Sequence, residues 1–147
     1  MGELRSTIVE RHYDDLRSHD LDRMRQLFRD DVVTVFPGTG EMKGIEPFIE
    51  YARVFLRAMP DTRVEIRTVV EQGNTVIAEG RLIGTHTGPL ATPDGREIPP
   101  TGKHVDFATA DAFEVEDGKV TRHRVYFDQM ELMTQLGLIP APAGASA

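Results

Sequence analysis

Residues 104–129 read HVDFATADAFEVEDGKVTRHRVYFDQ, a stretch whose alternation makes it a long β-hairpin. Counting by twos puts Val105, Phe107, Thr109, Asp111, Phe113 and Val115 on one face. Asp106, three alanines, Glu114 and Glu116 take the other. The first face is the buried one, so Asp111 is a carboxylate among apolar side chains. A three-residue loop, Glu116 to Gly118, with the glycine in the left-handed bulge position, pairs Val115 with Lys119. It sets Asp111 opposite His123, Phe107 opposite Phe127, Thr109 opposite Val125 and Phe113 opposite Thr121. The rival two-residue turn, Asp117-Gly118, faces Asp111 with Arg124, Phe113 with Arg122 and Phe107 with Asp128, lining the phenylalanine face with charge. We prefer the first register, because a slip of one residue moves every side chain to the wrong face. It predicts an Asp111–His123 dyad inside a pocket.

The strand before the hairpin carries the same argument. From Val76 to His86, one face is Val76, Ala78, Gly80, Leu82, Gly84 and His86. Its two glycines and its alanine leave space for a ligand beside the dyad, or else relieve strain where the sheet bends; both readings stay open. Upstream, Thr62 to Gln72 and the turn at Gly73-Asn74 complete a second hairpin. Residues 88–103 hold four prolines and three glycines, which predicts an ordered loop of turns joining two long strands.

The first half of the chain changes period. Leu4, Ile8, Val9, Tyr13 and Leu16 repeat at helical spacing, with His12 beside the stripe. Asp20 is placed to cap a second helix that faces Leu21, Met24, Leu27 and Phe28 inward. A short strand follows from Val32 to Phe36. Ile45, Phe48, Ile49, Ala52, Phe55, Leu56 and Met59 form the strongest stripe, stopped by Pro60. Helices followed by strands argue an α+β fold with three helices in the N-terminal half. We expect one domain over residues 1–139, ending in a short helix from Met130 to Gly137, and a flexible tail over 140–147.

Composition removes several function classes. The chain has 147 residues, 17 basic against 24 acidic, and a net charge of −7. It has no basic stripe, so a nucleic-acid partner is not expected. No apolar run approaches the roughly 18 residues of a membrane span, and the charged N-terminus does not read as a signal peptide, so the expectation is cytoplasmic. The chain contains no cysteine, which excludes disulfides and thiolate chemistry.

A buried carboxylate touching an imidazole biases proton transfer, so Asp111 and His123 are the catalytic candidates. The alternative is a structural pair that satisfies two polar groups within a core. His86 and His12 reach towards the same cavity from a strand end and the first helix. A metal site from His12, His86 and His123 is not expected, because no single element carries a local ligand cluster. Arg122 and Arg124 fall on the outer face, across from Ala112 and Ala110.

Gly84-Thr85-His86-Thr87-Gly88, Pro99-Pro100-Thr101-Gly102-Lys103, Asp117-Gly118-Lys119 and Asp128-Gln129 with Gln135-Leu136-Gly137 together resemble the SnoaL-like polyketide cyclases, also labelled ester cyclases, of the nuclear transport factor two-like superfamily. The resemblance covers most of the chain. It implies a cone-shaped fold, with a curved, mixed, mostly antiparallel sheet wrapped around a hydrophobic pocket, in a homodimer. It also implies acid–base chemistry without metal or cofactor on a small hydrophobic molecule. The cyclases resembled use an aspartate three residues before the Asp128 position, where this chain has Val125. The limonene-epoxide hydrolases use an Arg and two Asp at positions matching Gly80, Leu82 and Val125, so their triad is absent. In the ketosteroid isomerases the basic aspartate falls at Phe36, the carboxylic acid of the oxyanion hole at Asp111, and its tyrosine at His12 or Tyr13. The expected function is cyclisation or isomerisation of a carbonyl-bearing, polyketide-like substrate. In it His123 moves the proton and Asp111 orients it. His12, Tyr13 and His86 are oxyanion donors, and Phe36, Phe55, Phe107, Phe113, Val125 and Phe127 form the lining. The alternative is a binding protein of the same fold that does no chemistry.

Overall fold

A computed structural model describes residues 5–92 and 94–140. Residues 141–147 of the expected tail, and Leu4 of the first helical stripe, lie outside that range. The elements run α1 (Arg5–Ser18), α2 (Leu21–Gln26), β1 (Phe28–Phe36), β2 (Gly40–Lys43), α3 (Ile45–Ala58), β3 (Arg63–Gln72), β4 (Thr75–Thr85), β5 (Leu90–Ala91), β6 (Glu97–Ile98), β7 (His104–Glu116), β8 (Lys119–Phe127) and α4 (Gln129–Gln135). Six strands form one curved sheet in the order β2-β1-β8-β7-β4-β3, antiparallel except where β1 runs parallel to β8. The expected α+β architecture, with three helices before the long strands, is the one observed.

Local chemistry accounts for most of the boundaries. The Asp20 side chain accepts from the Arg23 amide at 3.0 Å and caps α2, and Asp128 caps α4 through the Met130 and Glu131 amides. In α3, Ile45, Phe48, Ile49, Ala52 and Leu56 are buried at helical spacing. One boundary differs from expectation: α2 stops at Gln26, and Phe28 already belongs to β1. The Val120 amide donates to the Leu27 carbonyl at 2.9 Å, and Phe28 pairs with Val120. Pairing with β8 therefore overrides the helical spacing of Leu27 and Phe28.

The β7–β8 register is neither of the two considered from sequence. The turn is the two-residue form: Asp117 (φ 50°) and Gly118 (φ 75°) are both left-handed, and Glu116 pairs with Lys119. That start would push charge onto the apolar face. Thr121 corrects it as a bulge, because Val115 pairs with Val120 while Glu114 pairs with Arg122. Beyond the bulge Phe113 faces His123, Asp111 faces Val125 and Thr109 faces Phe127. The one-residue offset of the turn and the one-residue bulge add to two, so the apolar parity survives. The outer arginines change partners accordingly. Arg122 stands opposite Glu114 and Arg124 opposite Ala112, and Arg124 donates to Glu114 at 2.9 Å.

The glycines of β4 do not open space for a ligand. A Cβ on Gly80 would collide with the Glu65 carbonyl, where β3 shifts register between Ile66 and Thr68. A Cβ on Gly84 would sit 3.5 Å from the Met59 side chain. Gly80 therefore serves the bend and the close approach of β3, whereas a methyl at Gly84 would make only ordinary contacts. The core lies in two clusters. One joins Ile8, Val9, Met24, Phe28, Ile49 and Phe113 beneath α1–α3, and the other joins Met59, Val105, Phe107 and Leu136 near α4.

Candidate active site

The pocket opens between α1, α3 and the inner face of the sheet, lined by His12, Tyr13 and Leu16 of α1, Phe48, Tyr51, Ala52 and Phe55 of α3, and Phe36, Val64, Leu82, Thr109, Asp111, His123, Val125 and Phe127 from the strands. Its cavity volume is about 70 Å³. It is a narrow, aromatic-walled slot. Phe36 and Tyr51 stack at one wall, with ring centroids 3.9 Å apart.

Asp111 and His123 meet although they are not directly opposed. His123 Nε2 lies 3.1 Å from Asp111 Oδ2, one diagonal step across the ladder. The imidazole is fixed by aromatic packing: it stacks on Phe113 at 4.3 Å with 13° between planes, and Phe28, Phe36 and Phe48 surround it at 5.6–5.9 Å. With the carboxylate ionised, Nε2 carries the proton and donates, which leaves the lone pair on Nδ1. That nitrogen is buried with no hydrogen-bond partner among the described residues.

α1 completes the site. Tyr13 lies beside Asp111, and burial first, then the adjacent carboxylate, push the phenol far above its ordinary pKa. It therefore stays a neutral donor. Thr109 Oγ1 makes a long contact of 3.5 Å with Asp111 Oδ1. His12 packs edge-on against His123, with centroids 5.3 Å apart, inside the same phenylalanine cage. Burial, and then the neighbouring His123, hold its pKa well below the ordinary value, so it is a neutral imidazole. His12, Asp111 and His123 each offer a donor atom, and these atoms lie within 4.8 Å of one another.

Eight of the residues singled out from sequence therefore line one pocket: His12, Tyr13, Phe36, Phe55, Asp111, His123, Val125 and Phe127. Phe113 and Phe107 stand behind it, under His123 and Phe127 respectively. His86 is placed elsewhere. It is buried at the root of the 88–103 loop, where its Nδ1 accepts from the Thr101 amide at 3.2 Å and its backbone bonds Lys103 and Gly102. β4 ends at Thr85, and the chain turns away before His86 reaches the dyad. Sequence reasoning missed Tyr51, Leu16, Val64 and Thr109 as lining. Tyr51 had a signal, since Phe48, Tyr51 and Phe55 run along one edge of α3 at spacings of three and four. Burial pushes its phenol up to about 12.

A curved sheet closed by three helices over an aromatic slot, with an Asp–His pair on its wall, defines a pocket protein of the cone-shaped α+β class. The SnoaL-like polyketide cyclase family model matches residues 7–136, and the chain belongs to that family. Similar solved structures include a candidate SnoaL-like polyketide cyclase of Jannaschia sp. CCS1, 25% identical with a TM-score of 0.81, covering 95% of this chain and 100% of the other. IdmH, a candidate polyketide cyclase of Streptomyces antibioticus, is 24% identical with a TM-score of 0.75 and coverages of 92% and 99%. AclR, a candidate hydroxylase of Streptomyces galilaeus, is 20% identical with a TM-score of 0.80 and coverages of 95% and 85%. No protein of curated function matches the sequence. No helix among the described residues is long and apolar enough to cross a membrane.

Proposed function

We propose that the protein catalyses proton transfer at a carbon next to a carbonyl in a flat, hydrophobic, polyketide-like molecule, leading to cyclisation or isomerisation. The observation that carries this is the pairing of Asp111 with Val125. Val125 occupies the position of the aspartate used by the cyclases this chain resembles. The carboxylate here stands directly across the ladder from it, about 5 Å away on the same pocket wall. The acid–base group has moved by one strand and still faces the slot.

We assign the two roles the other way round from the sequence expectation, on the ground of exposure. The Asp111 side chain is 8% exposed and His123 only 1%, and His123 Nδ1 is buried with no hydrogen-bond partner among the described residues. Asp111 is therefore the group that meets the substrate and takes the proton. His123 is a positioning residue, holding Oδ2 through Nε2–H. As negative charge moves from Asp111 to the substrate oxygen, the neutral Tyr13 hydroxyl can turn from the carboxylate to that oxygen. The apolar walls exclude water and strengthen these contacts.

The test is hydrogen–deuterium exchange at the α-carbon of a panel of flat aromatic ketones in deuterated buffer, followed by proton NMR with metal-free protein. The wild type accelerates exchange, and Asp111→Asn lowers the rate by roughly 100-fold or more. Exchange at the wild-type rate in folded Asp111→Asn would sink the assignment. A ketone that is bound but never exchanged favours the binding-protein reading, which the absence of the Val125 aspartate also supports.

A further inference from the structure

The acid–base reading uses Asp111, His123 and Tyr13 but leaves His12 without a task. His12 is 4% exposed, faces only aromatic rings and the dyad, and its Nδ1 has no hydrogen-bond partner among the described residues. A buried polar nitrogen without a partner is destabilising, and phenylalanine would fill the same cage without that penalty. We propose that His12, Asp111 and His123 form a binding site for a single divalent transition-metal ion of the zinc class, which competes with proton transfer at Asp111.

The donor chemistry fits. Two imidazoles and one carboxylate from three different elements, α1, β7 and β8, are the ligand set that holds zinc with one position left open. Their donor atoms lie within 4.8 Å of one another. Donors on a tetrahedral ion stand about 3.4 Å apart, so closure needs side-chain movements of about 1 Å. The open position would face the slot, because the same three residues line it. Tyr13 and Thr109, already beside the Asp111 carboxylate, would orient that ligand from behind. One carboxylate against a divalent ion leaves a net positive charge facing an apolar slot, which draws an anionic oxygen such as an enolate, phenolate or carboxylate. An ion there takes the carboxylate away from its proton, so the loaded protein loses the exchange activity proposed above. Binding itself does not depend on that activity.

Chelator-stripped protein is titrated with zinc chloride by calorimetry, and with cobalt(II) chloride by visible absorption. The expected result is one equivalent bound, ligand-field bands of a four-coordinate cobalt site, and affinity at least about tenfold weaker in both His12→Phe and Asp111→Asn. Asp111→Asn is close to isosteric, and circular dichroism reports whether each variant is folded. The proposal is overturned if the wild type takes up no stoichiometric ion, or if both folded variants bind as tightly as the wild type. A failure of the exchange assay with metal-free protein would leave this result standing, so the two readings fail separately.

Discussion

Asp111 stands directly opposite Val125, while its hydrogen-bond partner His123 sits one diagonal step away, opposite Phe113. Paired positions on β7 and β8 face the slot together. A carboxylate can therefore leave one strand and reappear on the next without leaving the pocket wall.

Placing an aspartate on β8 tests that relationship. Val125→Asp would place two carboxylates across one rung, and like charges so close cannot both ionise easily. The pair then holds one proton above the ordinary Asp range near pH 3.9. A folded pKa raised in this way means stability is lost as pH rises from the unfolded value through the raised folded one. We expect about 1–3 kcal/mol of destabilisation at pH 8 and less at pH 5, read from urea midpoints.

The histidines set a pH dependence of the opposite sign. His12 and His86 both have pKa values lowered, in each case first by burial. The unfolded chain therefore binds more protons than the folded one below about pH 6.5, and stability rises with pH up to that value. The urea midpoint should fall steadily as pH drops from about 6.5 towards the folded values. His12→Phe should flatten that slope. An unchanged slope in this variant would show that His12 does not contribute.

Phe113 holds the ring of His123 by stacking at 4.3 Å. Phe113→Leu keeps most of the volume and removes the stack. It should lower stability by about 1 kcal/mol, and the effect should shrink in a His123→Leu background, as a double-mutant cycle measures.

The β3–β4 contact leaves no room at Gly80. Gly80→Ala should destabilise by about 2 kcal/mol or more, because the new methyl must displace the Glu65 carbonyl from the strand. Thermal denaturation checks this, and a loss below about 0.5 kcal/mol would mean that the bulge in β3 relaxes freely.

The fold was legible where the pattern was local. The α3 stripe, the Asp20 cap, the strand parities of β4 and β7 and the fold class all follow from spacing and turn chemistry. Strand parity also told that Val125 and Phe127 face inward, but not that Phe107 and Phe113 stand behind the pocket while Tyr51 of α3 lines it. The α2–β1 boundary was not legible, because Phe28 satisfies helical spacing and is captured by β8 only in the assembled sheet. The destination of His86 was equally hidden. It shares the inner parity of β4, yet it lies one residue past the strand end and turns to hold the 88–103 loop.

The sequence alone determined that Asp111 and His123 lie on one buried face, because alternation along a strand is a property of the backbone at each residue. Tertiary structure decided how they meet. The left-handed pair Asp117-Gly118 starts the hairpin out of phase, and a bulge at Thr121 restores it only because the assembled core would otherwise bury charge. Tertiary structure also brought His12 from α1 to within reach of a dyad 99 residues further along the chain, as Asp111 marks. No local pattern encodes that approach. It arises from packing α1 onto the sheet, and with it the dyad becomes a three-sided site.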